Sequence, residues 1–87
     1  MSIDKEVREG IRAAAKGNEP VDKTLRRIIR EVKDDMDVEF DFGRNQRTNI
    51  YISEDTKKKL ERCKLNEKEP VAQVIKRAVI LYNMREE

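Results

Sequence analysis

Arg47, Asn49 and Tyr51 alternate with Thr48, Ile50 and Ile52 in the stretch RTNIYISED, residues 47–55. Ile50 and Ile52 fall on one side of such a run and Asn49 and Tyr51 on the other, which is the period of a half-buried β-strand. Amide, phenol and guanidinium groups offer directional hydrogen bonds, so the polar side has the chemistry of a recognition surface. The plainer reading of the same residues is a solvated strand face.

Elsewhere the residue types speak against catalysis. The chain has no histidine, so it lacks the usual general base near neutral pH and the commonest metal ligand. Its one cysteine, Cys63, cannot form an internal disulfide or a structural zinc site, and reads as a small core residue. There is no glycine-rich phosphate loop and no carboxylate pair in a recognisable frame. No enzymatic activity, metal or cofactor is expected. The cysteine count suits a reducing cytoplasm. The longest apolar run, AVILY at 78–82, is far too short to span a membrane, and MSIDKEVREG lacks the apolar core of a signal peptide.

With 87 residues, 44% charged and 37% apolar, the chain reads as a single domain over 1–87 with little apolar area to bury. Such a chain gains by dimerising. The net charge of +2 is uneven. Residues 1–33 hold nine basic and six acidic residues, residues 34–43 hold five acidic and none basic, and residues 44–87 hold eleven basic and seven acidic. The two basic blocks permit contact with nucleic acid.

A repeat organises the elements. EPVDKTLRRIIREV (19–32) and EPVAQVIKRAVILY (69–82) align at an offset of 50, matching Leu25 with Ile75, Arg27 with Arg77 and Ile29 with Val79. Proline suits a helix's first position, so helices are predicted from Pro20 and Pro70. In the first, Val21, Leu25, Ile28, Ile29 and Val32 form an apolar stripe with Arg26, Arg27, Arg30 and Lys33 opposite. The second is apolar over most of its girth and reads as the centre of a core or a dimer interface. Each follows another helix. SEDTKKKLERCKL is capped by Ser53 and turns Thr56, Leu60 and Cys63 inward. IDKEVREGIRAAAKGN is capped by Asp4, turns Val7, Ile11 and Ala14 inward, and stops at Gly17 and Asn18. Lys57, Lys58 and Lys59 read as a solvated helix face. Between the copies, Val38, Phe40 and Phe42 alternate with Asp37, Glu39 and Asp41. That predicts a second strand in a hairpin with Phe40 opposite Ile50, Phe42 opposite Thr48 and Val38 opposite Ile52. The expected fold class is α+β, mainly α. It comprises a first helix pair (1–33), a hairpin or ribbon (37–53) and a second helix pair (53–85).

RTNIYISEDTKKKLERCKLNEKEPVAQVIKRAVILYNM, residues 47–84, resembles the ribbon-helix-helix (Arc/MetJ-like) family of small DNA-binding proteins. The likeness rests on the short alternating strand, the serine cap, the acidic-then-basic first helix, the polar turn and the apolar second helix. It implies a repressor-type transcriptional regulator or an antitoxin whose two-stranded ribbon enters the major groove of double-stranded DNA. Matched by position, Arg47, Asn49 and Tyr51 would contact bases: arginine forks onto guanine, asparagine onto adenine, and tyrosine donates a hydrogen bond or packs on a thymine methyl. Arg44, Lys68 and the start of the second helix at Val71 would contact phosphates, joined by Lys76 and Arg77 if they face the DNA backbone. Pro70, which has no N–H, and Glu69, which has the wrong charge, depart from that pattern.

The ribbon can be built in two ways. Residues 47–52 can pair with a second copy of themselves in a homodimer. Alternatively the chain is a single-chain pseudo-dimer in which DVEFDF supplies the missing strand. The second is suggested by Met1, Ser2 and Ile3 aligning with Ile50, Tyr51 and Ile52, which leaves the first copy's strand truncated. No knot is expected. A ribbon containing DVEFDF would present Asp37, Glu39 and Asp41 to phosphates, which is repulsive. It would suit instead a non-enzymatic module that has lost DNA binding and meets a protein partner.

Overall fold

Each half of the chain folds as a short strand followed by two helices, and the two strands pair with each other. The computed structural model describes residues 2–38 and 47–86, with the backbone alone for Arg47 and Glu86. The first half comprises β1 (Ser2–Asp4), α1 (Lys5–Ala14), α2 (Val21–Val32) and a 3-10 turn (Lys33–Asp35). The second comprises β2 (Arg47–Asn49), α3 (Glu54–Arg62) and α4 (Val71–Glu86). The class is α+β and mainly helical. Among the described residues the sheet has two antiparallel strands, with Ser2 opposite Asn49, Ile3 opposite Thr48 and Asp4 opposite Arg47.

That pairing differs from both expected ribbons. Among the described residues the partner of 47–49 is the first copy's own short strand. Val38, expected opposite Ile52, lies outside any strand and is 42% exposed. Phe40 and Phe42 fall outside the described residues. The pairing is set by burial in the shared core and by the helix that follows the strand. Ile3 is 1% exposed, and burying such a side chain is worth about 1.5–3 kcal/mol. Because α1 begins at the next residue but one, the strand is fixed by the helix that follows it.

The helices start and stop for identifiable reasons. Pro20 is the N-cap of α2 rather than its first residue, with an extended backbone (φ −64°, ψ 152°). Its carbonyl accepts the first helical bond, from Thr24 N–H at 3.0 Å. Pro70 does the same for Gln73 and Val74 at the start of α4. Ser53 caps α3 by accepting from Thr56 N–H at 3.3 Å. Asp4 stands at the corresponding position before α1 but makes no capping bond, because its carboxylate is engaged by Lys76 of α4. After α1, Gly17 takes a left-handed backbone (φ 61°) that turns the chain toward α2.

α2 and α4 pack as the central pair, and α1 and α3 each lie against both. Leu25, Ile28 and Val32 from α2 meet Val74, Ile75 and Ala78 from α4, all with no exposed surface. The wide apolar girth of α4 is therefore the middle of this core.

A polar clamp closes each helix pair in the same way. Glu19 accepts from Arg27 Nη2 at 2.8 Å, from Thr24 Oγ1 at 2.7 Å and from Lys16 N–H at 3.3 Å. Arg27 Nη2 also donates to the Ala14 carbonyl at 2.6 Å, near the end of α1. In the second copy Glu69 accepts from Arg77 at 2.7 and 3.1 Å and from Leu65 N–H at 3.0 Å, while Arg77 donates to the Cys63 carbonyl at 2.6 Å. Each guanidinium thus ties the carbonyl end of a first helix to the Glu-Pro that opens a second. The first-helix residues sit 49 apart and the second-helix residues 50 apart, so the repeat extends to individual hydrogen bonds. Bonds from Arg27 and Thr24 hold the Glu19 carboxyl down at about 2. For Glu69, burial favours the neutral form, and the bonds from Arg77 and Leu65 outweigh it, leaving the carboxyl below its usual range.

Candidate functional site

The ribbon's inner face belongs to the core. Ile3 is buried opposite Thr48, and Thr48 accepts from Arg8 Nη1 of α1 at 3.2 Å. The alternation continues past the last strand residue, with Ile50 7% exposed and Ile52 half-buried against the core. Between them, Tyr51 is 81% exposed. Asn49 is exposed as well, beside an exposed Ser2 on the paired strand.

Two junctions hold the ribbon to the central helices. Asp4, which ends β1, meets Lys76 of α4 through an ion pair of 2.5 Å. Ser53, which follows β2, donates its N–H to Asp22 Oδ1 of α2 at 2.6 Å, and Asp22 also pairs with Arg26 at 3.4 Å. Under the repeat, Asp4 corresponds to Ser53 and Lys76 to Arg26. One carboxylate therefore serves each junction, from the strand end in one half and from the helix in the other. Burial opposes charge on Asp22, but the Ser53 N–H, the hydroxyls of Thr56 and Ser53, and Arg26 together hold its pKa below the usual value.

Beside the polar face lies a hollow of about 260 Å³, formed by Asn49, Ile50 and Tyr51, by Arg8, and by Pro20, Val21 and Asp22 at the start of α2. It brings an amide, a phenol, a guanidinium and a helix N-terminus together. The structure thus joins Asn49 and Tyr51, and adds Ser2 and Arg8, which sequence reasoning missed. The usable signal for Ser2 was its alignment with Tyr51 in the repeat. Arg8 carried none, since its contact with Thr48 spans 40 residues.

The other sequence-derived site residues lie apart. Arg47 contributes its backbone to β2, and Arg44 falls outside the described residues. Lys68 is exposed in the turn before α4, its N–H bonded to Asn66 Oδ1 at 2.9 Å. Val71 opens α4 and packs against the core. Two supporting cations are already engaged within the fold. Arg77 is 1% exposed inside its clamp, and Lys76 is committed to Asp4. Glu69, which looked misplaced beside a phosphate, is the partner that Arg77 requires.

Among the described residues no group of three or more His, Cys, Asp or Glu is arranged to hold a metal ion, and no helix is long and apolar enough to cross a membrane. Comparison with protein-family models, curated proteins and solved structures finds no match to this chain.

Proposed function

We propose that the chain is a ribbon-helix-helix-like DNA-binding protein, a transcriptional regulator or antitoxin that lays a ribbon made within one chain into the major groove. The observation that carries this reading is the strand pairing. With Ser2–Asp4 opposite Arg47–Asn49, the neighbour of Asn49 is a serine and not a carboxylate. The acidic objection to a DNA-facing ribbon therefore falls away at that position. Asn49 and Tyr51 stand exposed on the same side, with Ile50 between them turned into the core. Asparagine in that setting can engage adenine with two hydrogen bonds, and the tyrosine can donate to a base edge or rest on a thymine methyl. Arg47 is the third base contact in this reading, with Arg44, Lys68 and the Val71 N–H at phosphates.

The test is selection from a randomised duplex library followed by titration of the selected duplex at several salt concentrations. Binding should weaken with salt, since phosphate neutralisation supplies most of the affinity. Asn49→Ala and Tyr51→Ala should each lose about 1–3 kcal/mol of discrimination against the wrong base. Their melting should be nearly unchanged, because both side chains are exposed. No salt-dependent binding at low ionic strength would overturn the proposal.

A further inference from the structure

The two halves of the chain differ at one helix contact. In the first half α1 sits directly on α4 at Gly10, where an added Cβ would lie 2.8 Å from Val79 Cγ1 and 3.6 Å from Asn83 Nδ2. With first helices offset by 49 and second helices by 50, the corresponding trio is Lys59 on α3 with Ile29 on α2 and Lys33 just after it. There the helices also pack, but a groove runs beside the contact. Ile29, Lys33 and Lys59 line a groove of about 540 Å³ between α2 and α3.

The groove is cationic in a way its counterpart is not. Arg30, Lys33, Lys59, Arg62 and Lys64 stand around it, with Asp37 as the acid among the described lining residues. The equivalents of these five in the other half are Ile80, Asn83, Gly10, Ala13 and Ala15, all uncharged; a further lining cation, Arg26, is paired with Asp22 and corresponds to Lys76. None of the five belongs to an ion pair among the described residues. Beneath them the surface is apolar: Ile29 and Met36 are each 4% exposed, and Leu65 and Cys63 are half-buried. Clustered like charges repel one another unless an anion joins them, and a carboxylate there would make charge-assisted hydrogen bonds.

We infer that this groove docks an acidic peptide segment of a partner protein. Its carboxylates would meet Arg30, Lys33, Lys59 and Arg62, and its intervening apolar side chains would rest on Ile29, Met36 and Leu65. The chain shows the pattern locally, since Met36 is buried at this floor while its neighbours Asp35 and Asp37 stay exposed. Nucleic acid suits the site less well, because phosphates have no use for an apolar floor. The site is also displaced from the ribbon, which meets α2 at Pro20–Asp22. Arg30 lies about 14 Å further along that helix at 1.5 Å per residue. The inference is independent of what the ribbon reads.

The test uses the full chain and a capped peptide in which aspartate alternates with leucine, with a polyglutamate peptide of equal length and a mixed-sequence duplex DNA as comparators. The alternating peptide should shift the amide resonances of Arg30, Lys59 and Arg62 and slow alkylation of Cys63. Affinity should fall roughly tenfold or more in Arg30→Glu/Lys59→Glu, as expected when interfacial charge complementarity is reversed. The milder Arg30→Gln/Lys59→Gln should fall between, and circular dichroism should show both variants folded. Polyglutamate should bind more weakly than the alternating peptide. Three outcomes would each overturn the proposal: no shifts in the groove, polyglutamate binding as well as the alternating peptide, or duplex DNA displacing the peptide from these residues. Self-association through the groove without peptide binding would overturn it too, by making the occupant a second copy.

Discussion

Arg77 and Arg27 make the same bonds in settings of different depth, and that difference sets what each is worth. The side chains of Arg77 and Glu69 are 1% and 8% exposed, against 22% and 11% for Arg27 and Glu19. Removing one member of a buried pair strands the other, which costs about 3–5 kcal/mol. Arg77→Ala should destabilise by that order in urea denaturation, and Arg27→Ala by clearly less, since water screens the second pair. Replacing both Glu69 and Arg77 with apolar residues should recover much of the loss, because no charge is then left unpaired. The same clamps set an acid limit. Glu19 is held at about 2 from an ordinary value of 4.5, and Glu69 and Asp22 are also lowered. A depressed carboxyl stabilises the fold above its unfolded pKa and loses that contribution as pH falls through the folded value. Unfolding midpoints should therefore decline as pH falls below about 4.5, toward the Glu19 value near 2. The decline should be shallower in Glu19→Gln/Glu69→Gln. The Glu-Pro-Val repeat was plain in the sequence, but the role of its arginines was not. Arg26 and Arg27 are adjacent on a polar face, and only the packing of α1 decides which one turns inward.

The four helices were legible as elements because the apolar spacing and the prolines agree. The partner of β2 was not. DVEFDF has the stronger alternation, whereas Ser2–Asp4 has three residues and no pattern of its own. What decides is Ile3, whose burial is a tertiary event, and the junction from Asp4 to Lys76 across 72 residues. The seat of α1 on α4 was also hidden, because a glycine in a helix gives no sign of what lies opposite. Gly10→Ala weighs two effects. Alanine gains about 1 kcal/mol in helix propensity, while overpacking costs about 1–3 kcal/mol. Val79 is 3% exposed and, being β-branched in a helix, is held in one rotamer. It cannot move aside from a Cβ at 2.8 Å. The expected net is a destabilisation of about 1 kcal/mol in thermal or urea unfolding, and Gly10→Ala should cost less in a Val79→Ala background.

At the scale of the molecule, one chain supplies both strands of the two-stranded sheet and both helix pairs among the described residues. A disulfide between Ser2→Cys and Asn49→Cys, in a Cys63→Ser background, tests that pairing, since directly opposed residues bring their Cβ atoms to about 4.5–5.5 Å. Under dilute oxidising conditions the cross-link should form within one chain, as read by non-reducing electrophoresis. Cross-linked dimers in place of it would show the strand pairing with another copy. The charge blocks were legible from the sequence and fit two faces, with the ribbon at the start of α2 and the cationic groove beside its C-terminal half. Their separation could not be read, because the cations of the groove come from α2, α3 and the turn after α3. The ribbon face is proposed to meet duplex DNA. The most direct measurement is amide NMR of the full chain titrated with a selected duplex at low salt. The result expected is a set of shifts centred on Ser2, Arg8, Asn49 and Tyr51 that disappears as salt is raised. A titration that leaves those four residues unmoved would contradict it.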